Sequence, residues 1–210
     1  MLADLIPTGR FPSQLRDAQS AVDFLLRSGV KPPNLQLLGE SAGGTIILQL
    51  LRHIHHPHPA VAPLPRGTCV AGACVISPGV PYQDGDGESK EDIINLKALR
   101  RFSALLVHDV LESDLCYLRP GEGFLGDLEV RLMVTAGDKE VMKGGHRRLY
   151  EELVRCPGVA LKWVVDEGGF HCGPVFDFPM LILEGRPYVG DATREVVRWL
   201  GDGFAVLVEP

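Results

Sequence analysis

The sequence has few of the features of a membrane protein or a nucleic-acid-binding protein. No apolar run in the 210 residues approaches the roughly 18 needed to cross a bilayer. The first ten residues, MLADLIPTGR, lack the basic start and long apolar core of a secretory signal peptide. Positive charge is also scarce, since 21 Lys and Arg residues face 27 Asp and Glu residues and the net charge is −6. We therefore expect neither a membrane nor a nucleic acid as a partner.

The chain also lacks paired cysteines. It has five cysteines, which is an odd number, and no two are spaced as Cys-x-x-Cys. This pattern is typical of free thiols in a reducing compartment, so we expect a cytoplasmic protein. Internal repeats and low-complexity blocks are absent as well, and 45% of the residues are hydrophobic and 23% charged. That composition is ordinary for a globular chain, and we expect one domain over residues 1–210.

Apolar patterns predict an α/β fold in which strands alternate with helices. The predicted strands are residues 34–40, 69–77, 129–137 and 159–167, and the predicted helices are residues 11–30, 41–56, 146–155 and 193–201. On the first helix the residues expected to share the buried face are Leu15, Ala18, Val22 and Leu25. Alternating elements of this kind give right-handed crossovers, and hence a mostly parallel sheet with helices on both faces.

The connection between the second and third predicted strands is unusually long. Residues 79–128 include a Gly-rich loop and a helical stretch over 92–111. Because loops of this length are rare as plain connections, we expect the segment to be an insert that covers the carboxyl end of the sheet as a lid.

A nucleophile motif follows the first predicted strand. Residues 39–43 read Gly-Glu-Ser-Ala-Gly, which fits the G-x-S-x-G elbow of serine hydrolases. On so tight a strand-to-helix turn the residues two positions from the serine are pressed together, so glycine is expected at both. The turn exposes the hydroxyl of Ser41, and the N–H of Ala42 becomes one oxyanion donor. The alternative is that Ser41 only caps the following helix.

An activated serine needs a base, and the base needs an orienting acid. In an α/β-hydrolase these follow the serine in the order acid, then histidine, each on a loop after a strand. The loop after the third predicted strand offers Asp138 and Glu140, and the loop after the fourth offers His171. Each of these residues could instead be an ordinary solvated loop side chain, but together with Ser41 they satisfy both the order and the placement.

The other histidines are not expected to be functional. Four of them lie in RHIHHPHP, at a predicted helix end, and are His53, His55, His56 and His58. Positive charge there suits the negative end of the helix dipole, and no nearby carboxylate or cysteine completes a zinc site. His108 and His146 fall on predicted helices and are expected to be exposed. No metal is therefore expected, and a serine hydrolase mechanism needs no organic cofactor.

Several stretches resemble one known family. Two stretches of the sequence, GESAGG before an apolar helix and PTGRFPSQLRDAQSAVDFLL upstream of it, carry the resemblance. Together they are similar to the hormone-sensitive-lipase-like branch of the α/β-hydrolases. The resemblance continues through ISPG at residues 76–79, Gly137–Glu140, and His171 with Pro174, and it covers nearly the whole chain. It implies an α/β-hydrolase fold and a serine-dependent esterase. The family places its acid in a G-x-x-[D/E]-x-[L/V/M] pattern, which Glu140 fits better than Asp138 does.

The chain departs from the family in two places. Glu40 stands where the family usually has Asp, which is a mild change. More important, no His-Gly-Gly motif precedes Ser41, and the family draws the rest of its oxyanion hole from that motif. The resemblance therefore implies a chain that lacks the amino-terminal part of the fold, with Ala42 as the remaining oxyanion donor. We expect poor catalysis, and an unpaired apolar edge near the elbow or the third strand that favours dimerisation.

These observations predict a serine hydrolase that cleaves a small-molecule carboxylic ester or lactone. Ser41 is the expected nucleophile, His171 the base and Glu140 the acid, with Asp138 as the alternative acid. Finer details are similar to hydrolases found beside fungal secondary-metabolite genes, which implies a role in that metabolism. The alternative reading is a hydrolase-derived binding protein, catalytically impaired, in which the elbow persists without a full oxyanion hole.

Overall fold

The computed structural model describes residues 7–81, 87–177 and 189–205. Its centre is one parallel sheet with the strand order β1-β2-β3-β4. The strands are β1 (Gln36–Glu40), β2 (Gly72–Ile76), β3 (Val130–Gly137) and β4 (Val159–Asp166). Each lies inside a predicted strand. Because every strand runs the same way, all four carboxyl ends meet at one edge of the sheet.

Helices lie before, between and after the strands, and a helix is present at each of the five stretches predicted to be helical. They are α1 (Ser13–Arg27), α2 (Ala42–His55), α3 (Leu96–Val107), α4 (Leu115–Leu118), α5 (Lys143–Leu153), α6 (described over 173–177) and α7 (Asp191–Ala205). The short helices α4 and α6 were not predicted, and neither were two 3-10 turns, Pro32–Asn34 and Glu112–Asp114. Within the described ranges, every helix is too short or too polar to span a bilayer.

The two faces of the sheet bury different side chains, because successive residues of a strand point to opposite sides. Ala73 and Val75 of β2 join the larger core, which also contains residues of α1, α2 and α5. Cys74 and Ile76 of the same strand join a smaller core with Trp199 of α7. The predicted parallel sheet with helices on both faces is confirmed.

The first strand lies at an edge of the sheet. β1 pairs with β2 alone among the described residues, and its Leu38 is 54% exposed. The prediction that this strand is buried is therefore wrong for Leu38, since an apolar run cannot distinguish a central strand from an edge strand. An open edge near the elbow agrees with the sequence, whereas an open edge at β3 does not, because β3 lies between β2 and β4.

One residue of the predicted buried face of α1 is misplaced. Leu15 and Val22 are buried, but Leu25 is 38% exposed and Leu26 packs against the core in its place. The helix ends two residues before Gly29, whose φ of +94° is a conformation that glycine adopts at little cost. The stop signal was thus placed correctly, and the error lies in the register of the last turn.

The long insert divides into two parts. Its first part brings Leu96 and Leu99 of α3 against Val141 and Met142, next to the loop that follows β3. Its second part packs against α2, where Tyr117 and Leu125 are buried in the larger core. Residues 82–86 of the insert lie outside the described residues. That the first part covers a bound substrate as a lid stays a prediction.

Candidate active site

Ser41 occupies the strained turn that the motif predicts. It lies between β1 and α2 with φ +50° and ψ −115°, a backbone conformation that costs a non-glycine residue on the order of 1–3 kcal/mol. It holds the N-cap position of α2, yet its side chain makes no capping hydrogen bond. The N-cap interpretation therefore does not account for the hydroxyl. The turn aims it at the carboxyl edge of the sheet, at the positive end of a 14-residue helix.

The two motif glycines are not equivalent. A Cβ added to Gly39 would lie 2.5 Å from the carbonyl oxygen of Gly43, whereas a Cβ on Gly43 would meet no atom within 4 Å. Glycine is thus required at position 39, as the sequence predicts, but the prediction that it is also required at position 43 is wrong. The backbone of Gly43 fills the space that a side chain at position 39 would need, so only Gly39 must lack a side chain.

This asymmetry gives a testable prediction for stability. Gly39→Ala is expected to lower the free energy of unfolding by about 1–3 kcal/mol, because rigid backbone must shift to admit the methyl group. Gly43→Ala is the matched control, and it should not lower stability, because alanine is the better helix former. Urea unfolding followed by circular dichroism measures both. Equal destabilisation of the two variants would contradict the geometry.

Three side chains from three different loops form a continuous line of hydrogen bonds. His171 Nε2 lies 2.9 Å from Ser41 Oγ, and His171 Nδ1 lies 2.9 Å from Glu140 Oε2. A carboxylate only accepts hydrogen bonds, so Nδ1 carries the proton and Nε2 presents its lone pair to the serine. Glu140 and His171 are buried, at 0% and 3% exposure, and Ser41 is half-buried.

Glu140 is itself held from behind. Its Oε1 accepts a hydrogen bond of 2.6 Å from the N–H of Gly137 and one of 2.7 Å from Ser77 Oγ. The same Ser77 oxygen accepts a hydrogen bond of 3.0 Å from the N–H of Cys172, the residue after the histidine. Ser77 therefore joins the acid loop to the histidine loop. Ser77 was not among the predicted site residues, although its position directly after β2, at the carboxyl edge, was a usable signal.

Backbone strain concentrates at these residues. Among the described residues, four that are not glycine have positive φ, and three of them are Ser41, Ser77 and Cys172. Such conformations persist only where the surrounding structure enforces them, and they cluster at functional sites. Here the enforcing contacts are the hydrogen bonds that join the loops.

The environment of Glu140 favours its charged form. Burial alone would raise the pKa of this carboxyl, but the hydrogen bond with His171, the charge of His146 and the bonds from Gly137 and Ser77 together hold the pKa below its ordinary value. The group is therefore ionised at neutral pH.

His146 is not the exposed side chain that the sequence predicts. It is 2% exposed, its Nε2 lies 3.0 Å from the carbonyl oxygen of Pro78, and its Nδ1 lies 3.9 Å from Glu140 Oε2. The position on a helix was correct, but the buried carboxylate that this helix faces could not be found from the pattern of α5 alone. His108, by contrast, is exposed as predicted.

Asp138, the alternative acid, points elsewhere. Its Oδ1 accepts a hydrogen bond of 2.8 Å from the N–H of Gly168, and its Oδ2 lies 3.4 Å from the amino group of Lys139. It thus braces the turn after β4. Of the two candidate carboxylates, the structure brings only Glu140 to the imidazole of His171.

A thiol adjoins the histidine but is not activated. Cys172 is 1% exposed, and burial, followed by its hydrogen bond to Glu40 and the charge of that carboxylate, raises the pKa of the thiol. A thiol is nucleophilic as its thiolate. Cys172 therefore does not compete with Ser41. All five cysteines are free.

The histidine cluster after α2 is part of a folded loop. His53 Nε2 lies 3.0 Å from the carbonyl oxygen of Ala62, its Nδ1 accepts a bond from the N–H of His58, and His58 Nε2 lies 3.3 Å from Asp114 Oδ1. Burial lowers the pKa of His53, so attraction to the helix dipole does not explain its position. In the described part of the chain, no group of three His, Cys, Asp or Glu side chains could hold a metal.

A cavity of about 630 Å³ lies at the opposite end of the sheet. Its lining includes His55, Cys69 and Glu129, which lie beside the amino ends of β2 and β3. Ligands of parallel sheets bind at the carboxyl ends of the strands, so this cavity is separate from the site around Ser41.

Known proteins share this architecture. A family model described as alpha/beta hydrolase fold matches residues 4–174. A presumed steryl acetyl hydrolase from Schizosaccharomyces pombe is 23% identical in an alignment 207 positions long, which covers 90% of this chain and 50% of that protein. The crystal structure of EstE5 soaked with p-nitrophenyl butyrate matches with a TM-score of 0.72 at 22% identity, covering 95% of this chain and 63% of that one.

A hormone-sensitive lipase from a metagenome library matches with a TM-score of 0.71 at 17% identity, over 95% of this chain and 65% of that one. This chain thus spans half the length of the yeast relative and less than two thirds of each of these two crystal structures. The family model covers most of the sequence, from before α1 to the first turn of α6, and the parallel sheet agrees with it. The chain therefore belongs to the alpha/beta hydrolase fold family.

Proposed function

We propose that the protein is a serine hydrolase that cleaves a carboxylic ester or a lactone. Ser41 is the nucleophile, His171 the base and Glu140 the orienting acid. The observation that carries the proposal is the pair of 2.9 Å contacts, from Ser41 Oγ to His171 Nε2 and from His171 Nδ1 to Glu140 Oε2. Nucleophile, base and orienting acid in hydrogen-bond contact are the signature of an activated serine.

The reaction follows from this arrangement. Ser41 Oγ attacks the carbonyl carbon while His171 Nε2 takes the hydroxyl proton, and the carbonyl electron pair moves onto the oxygen. The N–H of Ala42 and the amino end of α2 stabilise that oxyanion. When the carbonyl re-forms, the alcohol leaves with the proton from His171. Water then repeats the attack on the acyl-enzyme and releases the acid, and with a lactone the alcohol and acid remain one molecule.

Glu140 is the better acid for this role than Asp138. It contacts the imidazole directly, and its lowered pKa keeps it charged, so that it stabilises the imidazolium formed during each proton transfer. The contacts of Asp138 with Gly168 and Lys139 occupy it in the neighbouring turn.

The relatives support an ester as the substrate. The yeast relative bears the name of a steryl acetyl hydrolase, and EstE5 was soaked with a p-nitrophenyl ester. A place in secondary metabolism and a cytoplasmic location stay predictions. The open edge of β1 supports the further proposal of a homodimer, because an unpaired strand is a template for pairing with another chain.

A second candidate function is a catalytically impaired binding protein. What favours it is the oxyanion hole: among the described residues the elbow supplies one donor, the N–H of Ala42, and each missing donor costs about 10²–10³ in kcat. The test is turnover of p-nitrophenyl butyrate and of a simple γ-lactone by the purified protein. The serine hydrolase releases p-nitrophenol repeatedly, many equivalents per chain. Binding of the ester without release of more than one equivalent would favour the second candidate.

A further inference from the structure

A carboxylate outside the triad contacts both loops that carry its acid and its base. Asp92 lies in the insert between β2 and β3. Its Oδ2 accepts a hydrogen bond of 2.7 Å from the N–H of Val141, the residue after Glu140. Its Oδ1 accepts one of 2.9 Å from the N–H of His171 itself. One side chain thus spans two loops that α5 and β4 separate along the chain.

The carboxylate matches this position chemically. An ionised carboxylate has no donor and offers lone pairs on both oxygens, and hydrogen bonds from backbone N–H groups to a charged acceptor are stronger than neutral ones. Asp92 is half-buried, and its Oδ1 also accepts a bond from its own neighbour, the N–H of Ile93. Both oxygens are therefore committed to backbone donors.

The segment that carries Asp92 is anchored on both sides. Before it, the N–H of Gly87 donates to the carbonyl oxygen of Val141 at 3.3 Å. After it, Asn95 caps α3 by accepting a bond of 2.8 Å from the N–H of Ala98. Leu96 of that helix then packs against the residues that follow Glu140. These contacts hold Asp92 against the loop that carries Glu140, independently of its hydrogen bond from His171.

We propose that Asp92 is a positioning residue that sets the distance between Glu140 and His171. It acts through the backbone of His171 and Val141. This role rests on the proposed hydrolase function, because it presupposes that the imidazole must be held against its acid. A hydrolytic site needs its groups held to within about 0.5 Å. The two loops are also joined farther from the imidazole, by a 2.9 Å hydrogen bond from the N–H of Lys139 to the carbonyl oxygen of Gly169.

The test compares Asp92→Ala with Glu91→Gln. Glu91 is the exposed neighbour, and its replacement removes the same charge from the same segment without touching the loops. Asp92→Ala is expected to lower kcat on p-nitrophenyl butyrate on the order of 10²-fold, the effect of a misplacement of about 1 Å, with KM unchanged. Asp92→Asn keeps one oxygen acceptor and should lie between Asp92→Ala and the wild type. Glu91→Gln should match the wild type.

A spectroscopic measurement separates this proposal from the hydrolase proposal. The Nδ1 proton of His171, bonded to Glu140, should give a low-field proton resonance in the wild type, assigned by its loss in His171→Gln. We expect that resonance to shift or vanish in Asp92→Ala and Asp92→Asn and to persist in Glu91→Gln. If the wild type shows the resonance but no turnover, the proposed hydrolase function is refuted. The role of Asp92 is then decided by the resonances of the variants alone. An unchanged resonance in the Asp92 variants, or none in the wild type, overturns the positioning role.

Discussion

Ser41→Ala is expected to reduce kcat on p-nitrophenyl butyrate by about 10⁶, which is the loss seen when a serine protease loses its nucleophile. The reason is that no other hydroxyl of the line of hydrogen bonds can attack the carbonyl. His171 Nε2 would then face a methyl group in place of the oxygen that lies 2.9 Å away. The measurement is steady-state hydrolysis, with the spontaneous rate subtracted.

Ser77→Ala is the matched control for that variant. Ser77 is also a serine with positive φ at the same edge of the sheet, but its hydroxyl bonds to Glu140 and not to the base. Its loss should reduce kcat far less than the loss of Ser41. If Ser77→Ala is inactive and Ser41→Ala is active, the nucleophile is misassigned.

Glu140→Gln is expected to reduce kcat by about 10⁴, if the cost of replacing the triad aspartate by its amide in a serine protease applies here. The amide presents a donor to Nδ1, so the imidazole adopts the other tautomer and its Nε2 no longer has a lone pair for the Ser41 proton. Because Gln is nearly the same size as Glu, the change tests charge and tautomer more than packing. The measurement is kcat and KM at neutral pH.

Asp138→Asn provides the comparison for the acid. The Asn oxygen can still accept the hydrogen bond from Gly168 that Asp138 accepts now, so this variant should remain within a few-fold of the wild type. If Asp138→Asn is nearly inactive and Glu140→Gln is nearly normal, Asp138 is the orienting acid and Glu140 is not. Loss of activity in both would mean that the turn after β4 also positions His171.

Much of the fold could be predicted because its signals are local. Each strand is a short apolar run after a turn, and the elbow is a five-residue motif in which Gly39 indicates the tight turn at Ser41. The order of Ser41, Glu140 and His171 along the chain was sufficient to bring them together, because carboxyl ends of parallel strands meet. The choice of Glu140 came from resemblance to a family, since the residues alone left Asp138 open.

What could not be predicted depends on neighbours distant in sequence. Leu38 has the same apolar pattern as a buried residue, and only the sheet order shows that it lies at an edge. His146 is buried because α5 faces Glu140, which no helical pattern records. Ser77 and Asp92 hold the site together through hydrogen bonds to residues distant in sequence. The partner of Ser77, Glu140, is 63 residues away, and the partners of Asp92 are 49 and 79 residues away. Their residue types are common in loops, so their partners identify them and their sequence does not.

Covalent labelling tests the central claim most directly, since a fluorophosphonate reacts with a serine that a neighbouring base activates. Mass spectrometry of the intact protein should show one adduct per chain. After trypsin digestion the adduct should lie on the peptide of residues 28–52, and fragmentation should place it on Ser41 and not on Ser28. Labelling should be absent in Ser41→Ala and should persist in Ser77→Ala. An unlabelled wild type, or an adduct that persists in Ser41→Ala, would contradict the assignment of Ser41 as the nucleophile.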